Sequence, residues 1–518
     1  MSANAGARSP EILRLSNAGS GRARRATAGR RAARRGRPRS AAARSYILPT
    51  GFSRCADGVT PVSSLSLCIN TQTPLIQFLT PPAAFAANGG TTDLAGLREG
   101  VDYRYSPGGV TRMVYPLVRR LLRREVLSEA HWIALNPHAP ATVRVDGLTL
   151  HNVALDPDRL AGYGRVKEAI WGRIHEIDAA DRHDDLFWTE AFSEYAYYNR
   201  RTAELIRGLD ADHDFDAFYI HDFQQLPVGQ MLDTLKPKIF RWHIPFDASA
   251  IPEEWRAVLT GYLDSYDAIV VSAARYGDSL AELGTKAPVI RLYPYIDPDD
   301  YSRPNRAAVA ETCRRFGIAP TDDVALLVGR MDPIKGQDLA IAAFGAIAER
   351  YPDLKLVLVG NGSFSGSGAG LGLSKSATWR AHLEQMAQAA GVAGRVIFTG
   401  HLPQADLDCL YERCRFTILP SVREGFGLVA VESWLHGRPV IVTERAGVAE
   451  LVRDGGNGLL FDPDDPGALA RKMRELLDDR TGRLLARLAR NGRRTARICS
   501  LEAAETAERA MLSRLTEA

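Results

Sequence analysis

Short apolar runs alternate with longer amphipathic stretches along the chain from about residue 70. In the first half of the chain, the runs that read as strands are 74–80 (PLIQFLT), 217–220 (AFYI), 238–242 (KIFRW) and 268–271 (AIVV). Continuous apolar runs of this length are typical of strands that helices cover on both faces of a parallel sheet. The pattern therefore predicts a doubly wound α/β domain over residues 70–295.

A segment rich in Pro and Asp, residues 293–305 (YPYIDPDDYSRPN), indicates an interdomain linker. A second series of apolar runs then predicts the strands 324–329, 355–360, 395–400, 416–420, 439–442 and 458–461. We expect a second Rossmann-like domain over residues 296–480, facing the first across a cleft. Helices over residues 481–518 are expected to pack back toward the first domain. The Gly/Ser-rich segment 360–374 is expected to be a flexible loop.

The positive charge of the chain is concentrated at its start. Residues 1–45 contain twelve arginines and one acid, Glu11, so this segment carries about +11 in a chain whose net charge is +4. Arg, Ala and Gly without apolar periodicity cannot bury enough surface to fold, and we expect a disordered extension over residues 1–69. A nucleic-acid-binding arm and an organelle transit peptide are the alternatives. Nothing downstream resembles a nucleic-acid-binding module, so no nucleic-acid partner is expected.

Cysteine spacing and hydropathy bear on the compartment. The six cysteines form no CxxC pair, and no Cys/His spacing is typical of a zinc site. The sequence has no apolar run of 18 residues, so we expect no membrane span, and we expect no secretory signal. These features predict a cytoplasmic protein without membrane contact.

Ionisable side chains follow predicted strands in both domains. His221 and Asp222 follow one strand of the first domain and His243 follows the next, while Arg330 and Lys335 follow the first strand of the second domain. Ligands of doubly wound sheets bind at the carboxyl ends of the strands, so these side chains meet if the two domains face each other. A single histidine at a strand end is more often a hydrogen-bonded structural residue, but the whole set favours a site.

The loop SVREGFG lies between another predicted strand and a predicted helix over residues 428–436. Free N–H groups at a helix N-terminus bind anions, and Gly425 and Gly427 let the backbone approach a ligand. Carboxylates bind sugar diols well because they offer several lone pairs and no donor. The arrangement predicts a nucleotide-sugar site, with the diphosphate at the helix, the ribose at Glu432 and the hexose at Glu424. The plain alternative is a solvated helix acid and a capping acid.

Transfer from a nucleotide sugar leaves negative charge on the departing pyrophosphate. Arg330 and Lys335 would stabilise that charge. The sequence has no DxD-type acidic pair that we assign to a metal, so we expect no obligatory metal ion and no cofactor. Gly108 and Gly109 form either a loop whose N–H groups reach a phosphate or the sugar ring, or a plain tight turn.

Several motifs resemble those of a known family. The segments GRMDPIKG and EGFGLVAVE are similar to the signatures of retaining glycosyltransferases of family 4, which have the GT-B fold, and the similarity covers roughly residues 290–480. In the first half, SPGGVTRMVYPLV, YIHDFQQLPVGQML and FRWHIPFDAS resemble segments of trehalose-forming glucosyltransferases, both glycosyltransferring trehalose synthases and trehalose-6-phosphate synthases. The resemblance implies two Rossmann-like domains in the GT-B arrangement.

The resemblance also implies roles for individual residues. His243 would contact the donor sugar and the reacting centre, Asp222 would bind acceptor hydroxyls, and His221 would line or shape the acceptor site. The predicted catalytic residues are His243, Arg330, Lys335 and Glu424. The predicted donor-binding residues are Gly109, Arg330, Lys335, Gly425, Phe426, Gly427, Leu428, Val429 and Glu432.

The predicted activity is retaining transfer of glucose or a related hexose from a nucleotide sugar to a sugar or sugar-phosphate acceptor, forming trehalose or trehalose-6-phosphate. Glu424 stands where trehalose-6-phosphate synthases usually have Asp, and no basic residue follows the second strand of the second domain until Lys375. This departure weighs against a phosphorylated acceptor.

Other functions stay open at this point. One is transfer to a lipid or cell-envelope acceptor, with the arginine-rich amphipathic stretch 112–127 on an anionic membrane rather than in a first crossover helix. The others are a disaccharide phosphorylase and a nucleotide-sugar-binding sensor without turnover. A homo-oligomer is left open.

Overall fold

Two parallel sheets organise the part of the chain that the structure describes. A computed structural model gives residues 64–80, 90–106, 109–175, 185–361 and 371–517, with the side chains of residues 371–376 left out. These residues fall within one compact unit.

The first sheet lies in the amino-terminal half. The strands of this half are β1 (Leu65–Thr71), β2 (Ile76–Phe78), β3 (Thr91–Asp93), β4 (Tyr103–Tyr105), β5 (Leu127–Leu135), β6 (Thr142–Val145), β7 (Leu148–Val153), β8 (Ala217–His221), β9 (Lys238–Trp242), β10 (Ala268–Val271) and β11 (Val289–Arg291). Its helices are α1 (Gly109–Arg123), α2 (Pro157–Ile174), α3 (Phe192–His213), α4 (Val228–Met231), α5 (Glu253–Leu263) and α6 (Ala274–Leu283). The strand order is β11-β10-β9-β8-β1-β5-β7-β6-β3, and β2 pairs with β4 separately.

The first strand of this sheet corrects two predictions. Residues 65–71 (LSLCINT) form β1, which is wholly buried and pairs in parallel with both β5 and β8. The predicted disordered extension over residues 1–69 is therefore wrong for residues 65–69, and its first 63 residues lie outside the described part. The predicted first strand, 74–80, instead contributes the short β2, which pairs antiparallel with β4.

The second sheet lies in the carboxyl-terminal half. Its strands are β12 (Asp323–Val328), β13 (Leu354–Val359), β14 (Val396–Gly400), β15 (Phe416–Leu419), β16 (Val440–Thr443) and β17 (Leu459–Phe461). The helices are α7 (Arg306–Arg315), α8 (Gln337–Ile347), α9 (Leu371–Ala389), α10 (Gln404–Arg413), α11 (Leu428–Leu435), α12 (Ala468–Leu477), α13 (Arg483–Ala496) and α14 (Leu501–Thr516). Because α9 already starts at Leu371, the predicted flexible loop is wrong for residues 371–374, and 362–370 lie outside the described part.

The order of the second sheet, β14-β13-β12-β15-β16-β17, is that of a dinucleotide-binding Rossmann fold, and every pairing is parallel. Such a sheet has its switch point where the chain reverses direction across the sheet, here between β12 and β15. The loops after these two strands must therefore lie side by side. In the first sheet the same logic selects β1 and β8, where β8 leads directly into Asp222.

Helix α14 returns to the first sheet. Its Leu501, Met511 and Leu512 are buried in the same core cluster as β1 and α1. Glu508 on this helix forms an ion pair with Arg241 of β9, and both side chains are at most 5% exposed. The end of the chain thus joins the amino-terminal domain, in contact with a strand that leads into the site.

The arginine-rich stretch 112–127 is largely the crossover helix α1. This helix buries Met113, Val114, Leu117, Val118 and Leu121 in the core of the first domain. Its apolar face is thus packed against protein, as expected of the crossover helix rather than of a helix that lies on a membrane. Within the ranges that the structure describes, no helix has the length and apolar character needed to cross a bilayer.

Candidate active site

The loops after β12 and β15 are joined by backbone contacts. Val422 N–H donates to the Ile334 carbonyl at 2.9 Å. Gly336 has φ +67°, and a Cβ there would overlap the Pro420 carbonyl oxygen, so only glycine allows this approach. The switch point of the sheet therefore holds Lys335 beside Glu424.

Lys335 and Glu424 form an ion pair at 2.7 Å, with side chains only 18% and 15% exposed. Ser421 Oγ donates to the same Glu424 oxygen, Oε2, at 2.9 Å. Burial opposes ionisation of this carboxyl, but Lys335, together with Ser421 and Arg330, holds the pKa of Glu424 below its usual range. Lys335 and the predicted hexose-binding acid, Glu424, thus lie together at a largely buried, charged position.

Gly425 brings this loop into contact with the first domain. A Cβ at Gly425 would overlap the carbonyl oxygen of His243, so the two loops meet with no side chain between them. Ser272 donates to the Gly425 carbonyl at 2.9 Å, and Tyr276 donates to the Glu424 carbonyl at 2.7 Å. Ser272, just after β10, and Tyr276 of α6 therefore fix the Glu424 loop against the His243 loop.

Glu432 lies in α11, one turn beyond the glycines. Its two oxygens accept hydrogen bonds from Tyr301 at 3.0 Å and from Tyr411 at 2.7 Å. A carboxylate has about four lone-pair sites, so two remain for a ribose diol. The structure gives this acid two orienting partners, which rules out a freely solvated helix acid.

His243, directly after β9, and His221, the last residue of β8, form a pair. Nδ1 of His221 and Nε2 of His243 lie 2.9 Å apart, and the rings stack. Burial lowers the pKa of both imidazoles well below 6.5, and the positive charge of Arg241 adds to the effect. Both rings are therefore neutral at pH 7, and the contact with His221 orients the His243 ring.

Asp222 sits in a backbone conformation that residues other than glycine rarely adopt, with φ 70° and ψ 165°. Its side chain is buried, and Oδ1 accepts from the His243 N–H at 3.3 Å. Burial raises the pKa of Asp222 to about 7. A strained, buried carboxyl at a strand end indicates a functional position.

The remaining predicted residues lie after β12, in the glycine loop or at the start of α11, except Gly109, which lies at the start of α1. Arg330 follows β12, and Leu428 and Val429 open α11 behind Gly427. The Phe426 side chain is buried in a core cluster against Tyr293, and its carbonyl accepts from the Val448 N–H at 2.8 Å. Gly109 is exposed at the first position of α1, and Gly108 lies outside the described residues.

Sequence reasoning missed three aromatic groups at this site and one imidazole. Tyr276, Tyr301 and Tyr411 hold the two glutamates; Tyr276 and Tyr301 are more than 100 residues away from them in sequence, and Tyr411 is 21 residues before Glu432. His175 is buried at the end of α2, and burial lowers its pKa to about 4, with Arg330 and Lys335 contributing. The sequence predicts the Pro/Asp-rich linker that contains Tyr301, but no local pattern links Tyr301 to Glu432, and the other three residues carry no signal either.

Comparison with protein families divides the site in two. Residues 310–495 match the family model "Glycosyl transferases group 1", and residues 173–278 match "Trehalose synthase, N-terminal domain". The first match contains Lys335, Glu424 and Glu432, and the second contains Asp222 and His243. The carboxyl-terminal side of the site thus lies in the region that matches the group 1 glycosyltransferase model.

Curated relatives match part of the chain. A D-inositol 3-phosphate glycosyltransferase of Acidothermus cellulolyticus is 34% identical over 235 residues, which are 44% of this chain and 50% of that protein. One from Corynebacterium urealyticum is 31% identical over 232 residues, 44% of this chain and 52% of the relative. The chain spans about half the length of the curated relatives it matches.

Solved structures match nearly the whole fold. A UDP-forming trehalose-phosphate synthase from Burkholderia xenovorans has a TM-score of 0.65 at 17% identity, covering 88% of this chain and all of that one. A sucrose-phosphate synthase from Thermosynechococcus elongatus has a TM-score of 0.63 at 18% identity, covering 87% and 99%. The predicted fold, two Rossmann-like domains in the GT-B arrangement, is confirmed.

Proposed function

We propose that this protein is a retaining glucosyltransferase that moves glucose from a nucleotide sugar to a glucose acceptor, forming trehalose. The observation that carries the proposal is the contact between Gly425 and the His243 carbonyl, which joins the Lys335–Glu424 pair of the second domain to the Asp222–His243 loop of the first. The glycosyltransferase family match and the trehalose synthase family match fall on these two sides.

The second domain provides the donor side. The nucleoside diphosphate binds at the N-terminus of α11, where free N–H groups and the helix dipole favour an anion. Lys335 and Arg330 lie beside it and stabilise the charge that forms on the pyrophosphate. Lys335 and Ser421 both donate to Oε2 of Glu424, and in this proposal Oε1 accepts from a hydroxyl of the hexose.

The first domain provides the acceptor side. In its ionised form Asp222 accepts a hydrogen bond from an acceptor hydroxyl, while the neutral His243 contacts the donor sugar at the reacting centre. The bond from the anomeric carbon to the phosphate oxygen breaks, and a bond from that carbon to the acceptor oxygen forms on the same face. The acceptor proton passes to the departing phosphate oxygen, so a nucleoside diphosphate is released.

Two observations favour free glucose over a phosphorylated acceptor. The match over residues 173–278 is to a trehalose synthase domain and contains Asp222 and His243. The sequence over residues 361–374 contains no lysine or arginine, whereas a sugar phosphate is usually bound by such side chains. Relatives that are named D-inositol 3-phosphate glycosyltransferases make a phosphorylated polyol the rival acceptor.

The proposal is tested by a matrix of donors and acceptors. Purified protein is incubated with UDP-, ADP- or GDP-glucose and with glucose, glucose 6-phosphate or D-inositol 3-phosphate, and products are identified by mass spectrometry. We expect a non-reducing dihexose with glucose. Transfer only to a phosphorylated acceptor would overturn the acceptor assignment, and tight nucleotide-sugar binding with no turnover on any acceptor would instead identify a sensor.

A further inference from the structure

A second cluster of ligand-type side chains lies at the far end of the first sheet. Glu129 and His131 stand two residues apart on β5 and therefore share one face of the sheet. His213 is the last residue of α3, which leads into β8. Because Asp222 follows the opposite end of β8, about five residues and roughly 16 Å further along, this cluster is separate from the candidate active site.

The three side chains converge on one point. Glu129 Oε1 lies 2.7 Å from His131 Nε2 and 2.7 Å from His213 Nδ1. One ligand atom from each residue lies within 4.8 Å of the other two. A tetrahedral ion with bonds of about 2.0–2.2 Å separates its ligand atoms by about 3.3–3.5 Å. Side-chain movements of less than roughly 1 Å would therefore seat an ion among them.

A fourth residue, His151 of β7, orients the cluster. Its Nε2 lies 2.9 Å from Nδ1 of His131, and the two rings stack. A histidine that binds a metal through one ring nitrogen commonly uses the other to donate to a fixed acceptor, which sets its tautomer. Both His131 and His151 are buried, so this orientation is rigid.

We propose that Glu129, His131 and His213 form a binding site for one divalent transition-metal ion, with Zn²⁺ as the ion that their two imidazoles and one carboxylate fit. Glu129 and His213 are 38% and 33% exposed, which gives the ion a path from solvent. His213 ends α3, where the negative end of the helix dipole favours a cation. The ion ties the start of β5 to the end of α3 and stabilises the first domain without taking part in transfer.

The competing interpretation is a metal-free hydrogen-bond relay, in which Glu129 accepts from both imidazoles. The two interpretations differ in what the substitutions change. In the relay, His213→Ala alters stability to the same extent with and without zinc. In the metal site, the same substitution removes a zinc-dependent increase in melting temperature.

The test is a titration of the full chain, purified without a polyhistidine tag and stripped of metal with a chelator. Calorimetry with zinc chloride should give one tight site per chain, and saturating zinc should raise the melting temperature. Glu129→Gln keeps the side-chain shape, and His213→Ala removes a partly exposed ring, so both variants are expected to fold. Each should weaken zinc binding by more than the roughly 10–100-fold that loss of an outer hydrogen bond costs.

His138→Ala is the matched control, because His138 is exposed on the same domain away from the cluster. It should bind zinc as the wild type does and show the same rise in melting temperature. Zinc binding by the wild type that is no tighter than millimolar, or that survives either Glu129→Gln or His213→Ala, would overturn the proposal.

Discussion

At the scale of single residues, both the backbone conformation and the buried carboxyl of Asp222 are energetically unfavourable. Its backbone adopts φ 70° and ψ 165°, and its carboxyl is buried with a pKa near 7. Strain of this kind costs of order 1–3 kcal/mol and persists only where the surrounding structure enforces it. We expect this conformation to direct the Asp222 carboxyl toward the acceptor.

The raised pKa of Asp222 predicts how stability depends on pH. The folded protein keeps a proton between the ordinary value of 3.8 and about 7 that the unfolded chain releases. The contribution of this group to stability is thus full below 3.8 and is lost as pH rises through about 7. Asp222→Asn, which cannot ionise, should lose less stability between pH 5 and pH 8 than the wild type, by of order 2 kcal/mol.

Thermal or urea unfolding of both proteins at pH 5 and pH 8 measures this difference. Asp247→Asn, at a partly exposed carboxyl nearby, serves as the control and should follow the wild type. Parallel pH dependence in the wild type and Asp222→Asn would contradict the burial of an ionisable carboxyl at this position.

The two glutamates of the donor side should divide the ligand between them. Glu432→Gln replaces an acceptor at the ribose, so binding of free UDP or ADP should weaken by roughly 1.5–3 kcal/mol. Glu424→Gln should leave affinity for the free diphosphate nearly unchanged and impair transfer, because its partner is a hexose hydroxyl. Calorimetry with the nucleoside diphosphate separates the two, and exposed Glu444→Gln is the control. Equal loss of diphosphate affinity in both variants would contradict this division.

At the scale of elements, the second sheet was predictable and part of the first was not. The runs VALLVG, KLVLVG and RVIFTG each contain at least three consecutive apolar residues and end in glycine, and each is a strand within a residue of its predicted bounds. By contrast, β1 has the sequence LSLCINT, in which polar residues interrupt the apolar ones. The sequence before it shows no apolar periodicity from which a strand could be predicted. Burial of Ser66 and Asn70 comes from neighbours that are distant in sequence, which local periodicity does not record.

The same limit applies to the candidate site. Strand ends and the glycine loop located Asp222, His243, Lys335 and Glu424, because parallel strands bring their carboxyl ends together. The contact of Tyr301 with Glu432, 131 residues apart, depends on where the linker runs and is invisible in the sequence. The Glu129–His131–His213 cluster also escaped, since its members belong to no short spacing motif.

Helix α14 gives a prediction at this scale. Glu508→Gln leaves the buried Arg241 guanidinium without its counter-charge, and breaking a buried pair from one side costs roughly 3–5 kcal/mol. Glu505→Gln on the same helix is the control, because Glu505 pairs with Arg120 nearer the surface and should cost no more than about 1 kcal/mol. Urea unfolding measures the free energy of unfolding of both variants. If Glu508→Gln and Glu505→Gln lower it equally, the buried Arg241–Glu508 pair does not anchor the helix.

At the scale of the whole molecule, several hydrogen bonds between the two domains involve the Glu424 loop and the segment just after it in the fold. Tyr276 and Ser272 bind the loop that contains Glu424 and Gly425. Glu450 accepts from the Ala274 N–H at 2.7 Å and from Arg291 at 3.0 Å. The relative position of the domains is thus fixed in part by the same loops to which we assign the chemistry.

Truncation tests whether the arginine-rich segment, residues 1–45, contributes to the stability of the folded protein. Removal of residues 1–45 should leave melting temperature and activity nearly unchanged, because that segment has no core-forming pattern. Extending the removal to Thr71 deletes β1, which lies between β5 and β8, and should abolish soluble folded protein. Circular dichroism and thermal unfolding compare the two. A large loss of stability from the shorter deletion would show that the segment is structural.

The central claim is that Lys335 and Glu424 on one domain and Asp222 and His243 on the other form one site for retaining glucosyl transfer. The most direct test is NMR of the product formed from a nucleotide sugar with ¹³C at glucose C1 and unlabelled glucose as acceptor. We predict that the labelled anomeric carbon appears in the α configuration within α,α-trehalose, and that Lys335→Ala slows its appearance by roughly 10²–10³-fold. A β-configured labelled carbon, or transfer that proceeds at the wild-type rate in Lys335→Ala, would contradict the account.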